Sequence, residues 1–218
     1  MTSDPNLLIA KAYRPIPGWA LLVFVAALLV LCVAAAGFVQ GRGLLAILTL
    51  FYGAGLCAVA AAVAPLGRSA APALGLRGAT GRPILLGVFA TVALSFGVSQ
   101  LGIEPQGVKQ AIDIARQPGE LLKSLVVLAA LAPLVEELIF RGLLYGWIAG
   151  RWGTLAAWLV SSLAFAAAHV EPAHIVLVLP LGILFGWLRR RTDSLLPSLV
   201  SHIVNNGFAV IAATYFDS

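Results

Sequence analysis

Long apolar runs separated by short polar stretches dominate the pattern of this chain. The first half contains three such runs, Trp19 to Val39, Leu44 to Val63 and Ile84 to Leu101. Each run is close to the roughly 20 helical residues that are needed to cross a bilayer core of about 30 Å. We therefore predict that each of the three is a membrane-spanning helix.

The second half of the chain is interrupted more often. The run from Leu121 to Trp147 contains Pro133 and four charged residues, so we expect either one kinked helix or two shorter helices there. Three later spans are predicted at Thr154 to His169, Ala173 to Leu188 and Leu195 to Thr214. The runs together predict an all-α, polytopic transmembrane bundle of seven or eight helices.

Two polar stretches connect these runs. The stretch from Gly102 to Glu120 has mixed charge, with Val108, Ile112 and Ala115 at helical spacing, which predicts an amphipathic segment along the membrane interface. Residues 64–83 are rich in Gly, Pro and Arg and are predicted to form a connecting loop.

The distribution of basic residues predicts the orientation in the membrane. If the chain crosses seven times, Lys and Arg are concentrated in loops on the side of the N-terminus, which the positive-inside rule assigns to the cytoplasm. We therefore predict a cytoplasmic N-terminal segment at 1–18 and a single transmembrane domain at 19–218, in the cytoplasmic (inner) membrane. An eighth crossing would move the C-terminus to the opposite side.

The overall composition agrees with a membrane protein. Of the 218 residues, 61% are hydrophobic and 11% are charged, and the mean hydropathy of +0.98 is far from that of a soluble globular domain. The net charge of +5 does not indicate a nucleic-acid partner, because the basic residues lie between apolar runs rather than on one face. Cys32 and Cys57 lie inside apolar runs without the spacing of a disulfide framework or a metal site.

A small set of ionisable and amide side chains lies inside the later spans. A charged side chain at membrane depth costs about 3 kcal/mol or more, so it usually faces the bundle interior or a wet cavity and marks the working site. The set consists of Glu136, Glu137, Arg141, His169, His202, Asn205 and Asn206. We therefore predict an active site inside the bundle, with its core at about 121–214.

Helical spacing predicts different surroundings for these side chains. Glu137 and Arg141 are four residues apart with the acid first, which is the favourable orientation for an ion pair. Glu136 points about 100° away from Glu137 on a helix, so it is free to face a cavity and is the better candidate base. Phe165 is one turn before His169, so its ring can buttress the imidazole.

The same set is suited to hydrolysis. A carboxylate and one histidine can take a proton from water, and a second histidine with a carboxamide can donate hydrogen bonds to the resulting oxyanion. His202 and Asn206, four residues apart, match the second pair. Nucleophilic catalysis is less supported, because the chain has no G-x-S-x-G sequence and neither cysteine has a helical histidine neighbour.

In their order along the chain, these residues resemble the motifs of a known family. Glu136 to Arg141 reads E-E-x-x-x-R, Phe165 to His169 reads F-x-x-x-H, and His202 to Asn206 reads H-x-x-x-N. On successive spans they resemble the CAAX-protease and bacteriocin-processing (CPBP) family of intramembrane proteases, which includes type II CAAX prenyl endopeptidases. The resemblance covers Pro133 to Asn206, about a third of the chain.

The resemblance implies a glutamate-type intramembrane endopeptidase. Glu136 matches the residue that activates water together with the one matching His169. His202 and Asn206 match the residues of the oxyanion hole. The supporting positions are Glu137, Arg141 and, as the neighbour of His169, Phe165.

The resemblance also implies the class of substrate. Some relatives remove the last three residues of prenylated C-a-a-X proteins on the cytoplasmic side, and some bacterial relatives act in bacteriocin immunity or peptide signalling. We therefore expect a membrane-associated protein or peptide as substrate, with or without a lipid modification. The Ala-, Gly- and Leu-rich sequence resembles that of a bacterial protein from a high-GC genome, in which a prenylated substrate is not expected.

Two other interpretations remain open. One keeps hydrolysis but adds zinc, since a carboxylate and two histidines can form an open metal site; no H-E-x-x-H helix is present, and we expect no cofactor. The other is not enzymatic, with the polar cluster acting in a small transporter or as a binding site in a bacteriocin-immunity or scaffold protein. A transporter would more readily show inverted repeats, whereas the polar residues here are confined to one half of the chain.

Overall fold

Helices follow one another along residues 15–215, the part of the chain that the computed structural model describes. The first five are α1 (Gly18–Val39), α2 (Leu44–Val63), α3 (Ala70–Leu74), α4 (Gly81–Ser99) and α5 (Gln106–Ala115). The next five are α6 (Leu121–Ser124), α7 (Ala132–Glu137), α8 (Tyr145–Ala167), α9 (Pro172–Thr192) and α10 (Leu196–Tyr215). No strand occurs in residues 15–215, and the all-α prediction is confirmed. Most of the predicted N-terminal segment at 1–18 lies outside the described residues.

Five helical stretches within residues 15–215 are long and apolar enough to cross a membrane. They are Gly18–Val39, Leu44–Leu74, Gly81–Ser99, Pro172–Thr192 and Leu196–Tyr215. Their surfaces carry exposed apolar side chains such as Leu22 and Phe89, which are 72% and 76% exposed. Exposed apolar surface on this scale requires the hydrocarbon of a bilayer to cover it. The chain is therefore a multi-pass membrane protein, and the predicted first three and last two spans are confirmed in position.

The ambiguous fourth stretch is one continuous helix. Two π-helical segments, Leu125–Leu131 and Leu138–Leu144, join α6, α7 and the start of α8. Pro133 lies at the start of α7, directly after a π-helical segment, where the wider turn accommodates a residue without an N–H group. The break comes at Gly153, where φ is 80° and ψ is 170°. Because of its charged residues, this helix is not among the five apolar stretches, and neither is the short helix after Gly153.

The fourth stretch is also the centre of the bundle. α1 packs on α2, while α9 packs on α4, α8 and α10. Both α2 and α10 contact α7, and the second π-helical segment contacts α8 and α9. α7, which carries the two adjacent glutamates, therefore has one helix from each half of the chain beside it.

The contact between α2 and α7 is unusually close at Gly55. A Cβ atom at this position would lie 2.9 Å from the Cγ1 atom of Val135. Ala58 and Ala62 are also fully buried on α2. Small residues allow the backbones of membrane helices to approach, which increases van der Waals contact where no hydrophobic effect operates. The absence of a side chain at Gly55 therefore determines how near α2 comes to the glutamates.

The predicted amphipathic segment forms α5, which is fastened at both ends. At its start, the backbone N–H groups of Gln106 and Gly107 donate to the carboxylate of Glu171, at 2.8 Å and 3.4 Å. Directly after its end, the Arg116 guanidinium donates twice to the carbonyl oxygen of Ala213, at 3.0 Å and 2.6 Å. These bonds connect α5 to the start of α9 and to the end of α10.

A network of arginines closes the opposite end of the bundle. Arg189 is fully buried, and its Nε atom donates to the carbonyl oxygen of Arg141 at 3.0 Å. Arg189 also donates to one oxygen of Asp193 at 2.8 Å, and Arg77 donates to the other oxygen at 2.5 Å. Asp193 thus joins the loop after α3 to the end of α9, and Arg189 connects both to the central helix.

We expect Gly75→Ala to destabilise this network. Gly75 has a φ of 79°, and a Cβ atom there would lie 2.6 Å from the guanidinium carbon of Arg189. Backbone strain alone predicts a loss of about 1–3 kcal/mol in the free energy of unfolding, seen as a lower thermal unfolding temperature of the purified protein in detergent. Gly78→Ala is the matched control, because a Cβ at Gly78 has nothing within 4 Å. An equal loss in both variants would contradict the role of Gly75.

Candidate active site

Glu136 and Glu137 have different surroundings, as the helical geometry predicts. The side chain of Glu137 is fully buried, whereas that of Glu136 is 16% exposed. Adjacent carboxylates would repel each other in an apolar interior, so each needs its own partners. The partners found in the structure come from three elements: α2, the second π-helical segment and α10.

Glu137 forms the predicted ion pair with Arg141. The Arg141 guanidinium donates to Oε1 of Glu137 at 3.0 Å and, through its other terminal nitrogen, to the carbonyl oxygen of Gly182 on α9 at 3.0 Å. It also lies over the ring of Phe165 on α8, 4.2 Å from the centroid. The ion pair thus connects the central helix to α8 and α9.

His202 on α10 lies between the two glutamates. Its Nδ1 atom is 3.2 Å from Oε1 of Glu137, and its Nε2 atom is 3.7 Å from Oε2 of Glu136. Its ring stacks on that of Phe185, with 4.8 Å between the centroids. A carboxylate only accepts hydrogen bonds, so Nδ1 carries a proton toward Glu137 and Nε2 is directed at Glu136.

His169 lies just beyond the end of α8, beside the predicted aromatic neighbour. Its Nδ1 atom is 2.9 Å from the carbonyl oxygen of Phe165, and the two rings meet edge to face with 5.0 Å between the centroids. Phe165 also contacts the ring of His202, at 5.7 Å. Within residues 15–215 no hydrogen bond joins His169 to Glu136, and the pairing of these two residues stays a prediction.

Asn206 is held by a gap in the hydrogen bonding of the central helix. The N–H group of Ala132 is bonded to the carbonyl of Val127, and Pro133 has no N–H group, so the carbonyl of Leu128 lacks a helical donor. The side-chain amide of Asn206 donates to that carbonyl at 3.0 Å. Asn206 is thereby fixed one turn beyond His202 on α10, with its second amide N–H group available for another acceptor.

Asn205 extends this amide cluster to α4. Its side-chain nitrogen donates to the side-chain oxygen of Asn206 at 3.2 Å, and its own oxygen accepts a hydrogen bond from the hydroxyl of Ser95. The orientation of Asn206 is therefore determined from both sides.

Tyr52 on α2 contacts Glu136, which the sequence analysis did not predict. The Tyr52 hydroxyl donates to Oε1 of Glu136 at 2.9 Å, across 84 residues of sequence. Tyr52 lies in the second apolar run, which had no assigned role beyond spanning the membrane. The available signal was the hydroxyl itself, because a tyrosine inside a membrane span usually has a hydrogen-bond partner.

His174 is a second unpredicted neighbour of the site. It lies near the start of α9, and its ring contacts that of His169 with 4.4 Å between the centroids. The site thus contains three imidazoles on successive elements.

The zinc interpretation requires a carboxylate and two histidines arranged as metal ligands. Within residues 15–215, no group of three or more His, Cys, Asp and Glu side chains is arranged to hold a metal ion. Oε1 of Glu137 is bonded to both Arg141 and His202. That the reaction needs no cofactor stays a prediction.

Comparisons with known proteins point to one family. Residues 118–208 match a family model described as type II CAAX prenyl endopeptidase Rce1-like, and this range contains all three motifs. The chain is also 25% identical over 119 residues to a protein of Bacillus subtilis (strain 168) named "Putative membrane peptidase YdiL". The similar region is 55% of this chain and 48% of that protein, so the chain spans about half the length of this relative. No solved structure matches the chain.

We expect Arg141→Met to be strongly destabilising. Removing the guanidinium leaves the charge of Glu137 buried without its main partner, which costs about 3–5 kcal/mol in the free energy of unfolding. The measurement is thermal unfolding of the purified protein in detergent. The double variant Glu137→Gln with Arg141→Met removes both charges and is expected to recover most of the loss. A double variant as unstable as the single one would show that charge pairing is not what Arg141 contributes.

Proposed function

We propose that this chain, a member of the CAAX-protease and bacteriocin-processing family of membrane proteases, is an intramembrane endopeptidase that hydrolyses a peptide bond by means of glutamate- and histidine-activated water. One observation supports this proposal most directly. Within residues 15–215 no arginine forms an ion pair with Glu136, and its Oε2 atom is directed at the imidazole of His202, whereas Glu137 is paired with Arg141. One carboxylate therefore supports the site and the other is available for proton transfer.

In the proposed reaction, Glu136 acts as the general base. Its Oε2 atom takes a proton from a water molecule held between Glu136 and His169, and the water oxygen attacks the carbonyl carbon of the peptide bond. Holding the water between two such groups replaces a bimolecular encounter by a positioned one. The proton is then delivered to the leaving nitrogen, the C–N bond breaks, and a new carboxyl terminus and a new amino terminus result.

His202 and Asn206 supply the donors for the oxyanion in this proposal. In this proposal His202 acts as an imidazolium, which has two N–H groups. The N–H group at Nδ1 is directed to Glu137, and the one at Nε2 is left for the oxyanion. Asn206 uses one amide N–H group for the carbonyl of Leu128 and retains the other. Donors that are fixed in advance stabilise the developing charge without reorganisation, which is usually the largest part of catalysis in acyl transfer.

The proposed substrate is a membrane-associated protein or peptide. The reacting side chains lie on helices of a multi-pass bundle, so the scissile bond must enter from the bilayer or its surface. A lipid modification is compatible with this chemistry but not required by it, since the reacting group is the peptide carbonyl.

We also propose that the protein lies in the inner (cytoplasmic) membrane. The end of the bundle that contains the arginine network then faces the cytoplasm. Tryptophans there lie beneath arginine side chains: Arg151 lies over Trp147, Arg190 over Trp158 and Arg191 over Trp187. Tryptophan is enriched at membrane interfaces, and an excess of Lys and Arg is typical of the cytoplasmic side. Gly18, the first residue of α1, lies beside Arg151 and Trp147, so the N-terminal side is then also cytoplasmic.

The direct test compares peptide termini in the membrane proteome of two strains of the native host. One strain carries the wild-type protein and the other carries Glu136→Gln as its only copy of this protein. New termini are expected with the wild type and not with the variant, because glutamine cannot accept the proton of water. Glu120→Gln is the matched control, since Glu120 is paired with Lys123 at the surface at 2.6 Å and should leave the termini unchanged. Identical termini with folded and equally abundant Glu136→Gln would contradict the proposal and favour binding or transport.

Proteolysis is expected to continue without a metal ion. Formation of the same termini in isolated membranes should be unchanged by a zinc chelator, because the proton acceptor in this proposal is a carboxylate rather than a metal-bound water. Loss of the termini on chelation, with recovery after zinc is added back, would overturn the metal-free mechanism while leaving the protease proposal intact.

A further inference from the structure

We propose that Tyr52 is a positioning residue for Glu136, so that the first half of the chain contributes to the reaction by holding the base in place. The inference rests on the proposed function, because positioning is defined relative to the general base. Its basis is the 2.9 Å hydrogen bond that the Tyr52 hydroxyl donates to Oε1 of Glu136. Tyr52 lies outside residues 118–208, the part of the chain that matches the family model.

The two oxygens of Glu136 have different neighbours. Oε1 accepts the hydrogen bond from Tyr52, and Oε2 lies 3.7 Å from Nε2 of His202. A glutamate side chain has several rotatable bonds, so one fixed oxygen is needed to hold the other in a constant direction. Tyr52 therefore restrains one oxygen and leaves the other for the water.

The position of Tyr52 depends on the close approach of α2. Gly55 follows Tyr52 by one turn and allows α2 to approach Val135, the residue directly before Glu136. The ring of Tyr52 also meets that of Phe51 edge to face, with 5.5 Å between the centroids. Because the backbone of α2 is this close to α7, the side chain of Tyr52 can reach the carboxylate of Glu136.

Packing alone does not account for a tyrosine at this position. A phenylalanine would fill the same volume beside α7 without bringing a hydroxyl into the bundle. An unpaired hydroxyl in an apolar environment costs free energy, so the hydroxyl is favourable here only through its bond to Glu136. The role of the Tyr52 hydroxyl is therefore to donate this hydrogen bond to the carboxylate of Glu136.

The same contact persists through the proton transfer. Tyr52 donates to Oε1 when Glu136 is a carboxylate, and Oε1 can still accept after Oε2 has taken a proton from water. Tyr52 keeps its own proton throughout, and no bond to it forms or breaks. It therefore holds the orientation of Glu136 while the proton moves on from Oε2 to the leaving nitrogen.

The kinetic test is Tyr52→Phe, with a synthetic peptide that spans the first cleavage site mapped by the comparison of termini. We expect kcat to fall by about tenfold to a hundredfold with KM within twofold, because a displaced base affects the chemical step rather than binding. Thr49→Val is the matched control. It removes a hydroxyl from the same helix, one turn earlier, that donates to the carbonyl of Leu45 at 2.7 Å, and it should leave kcat unchanged.

The double variant separates positioning from loss of structure. In the Glu136→Gln background, Tyr52→Phe is expected to reduce the residual rate by less than twofold, because the base on which it acts is already absent. The proposal would be overturned if Tyr52→Phe reduced the rate by the same factor in the wild-type and Glu136→Gln backgrounds. It would also be overturned if Tyr52→Phe alone left kcat unchanged.

A spectroscopic measurement tests the contact without any substrate. The infrared band of the Glu136 side chain is obtained as the difference between the wild type and Glu136→Gln, and then again with Tyr52→Phe added to both proteins. We expect the band to shift when the hydroxyl is removed, and an identical band would contradict the hydrogen bond.

If the wild type cleaves nothing, the proposed function fails, whatever the band shows. If the wild type cleaves but Tyr52→Phe cleaves equally fast, only this inference fails.

Discussion

The buried ion pair between Glu137 and Arg141 is the interaction on which the site depends. Through Arg141 it reaches Gly182 on α9 and Phe165 on α8, and through Glu137 it reaches His202 on α10. The desolvation of two charges is offset only when further bonds satisfy both groups, and here those bonds come from several helices. The pair therefore favours a single arrangement of the later helices, and that arrangement brings His202 to Glu136.

The backbone of the central helix contributes as much to the site as its side chains. Pro133 and the preceding π-helical segment leave the carbonyl of Leu128 without a helical donor, and Asn206 on α10 donates to it. An unsatisfied carbonyl costs free energy in the membrane interior, and here the amide of a neighbouring helix supplies the donor. The local defect at Pro133, three residues before Glu136, thus fixes the side chain of Asn206 on α10.

The two halves of the chain meet at α7, and this joins them functionally in the proposed reaction. The later helices bring the histidines, the amide and the ion pair, whereas α2 brings only Tyr52, next to the close approach at Gly55. A largely apolar helix can affect the base, because a hydrogen bond to a charged group is stronger in a low-dielectric interior than in water. In this proposal the first half is more than a membrane anchor.

The sequence by itself determined the class of fold and most of the candidate site. Apolar runs of about 20 residues predict spans because the bilayer sets their length, and Glu137 with Arg141 or Phe165 with His169 follow from the geometry of one helix. Only the tertiary structure decided that Glu136 meets Tyr52, that Asn206 meets Leu128 and that Arg189 is a buried structural residue. The physical reason is that helical periodicity relates residues three or four apart, whereas contacts between helices depend on how closely their backbones approach, which no local pattern specifies.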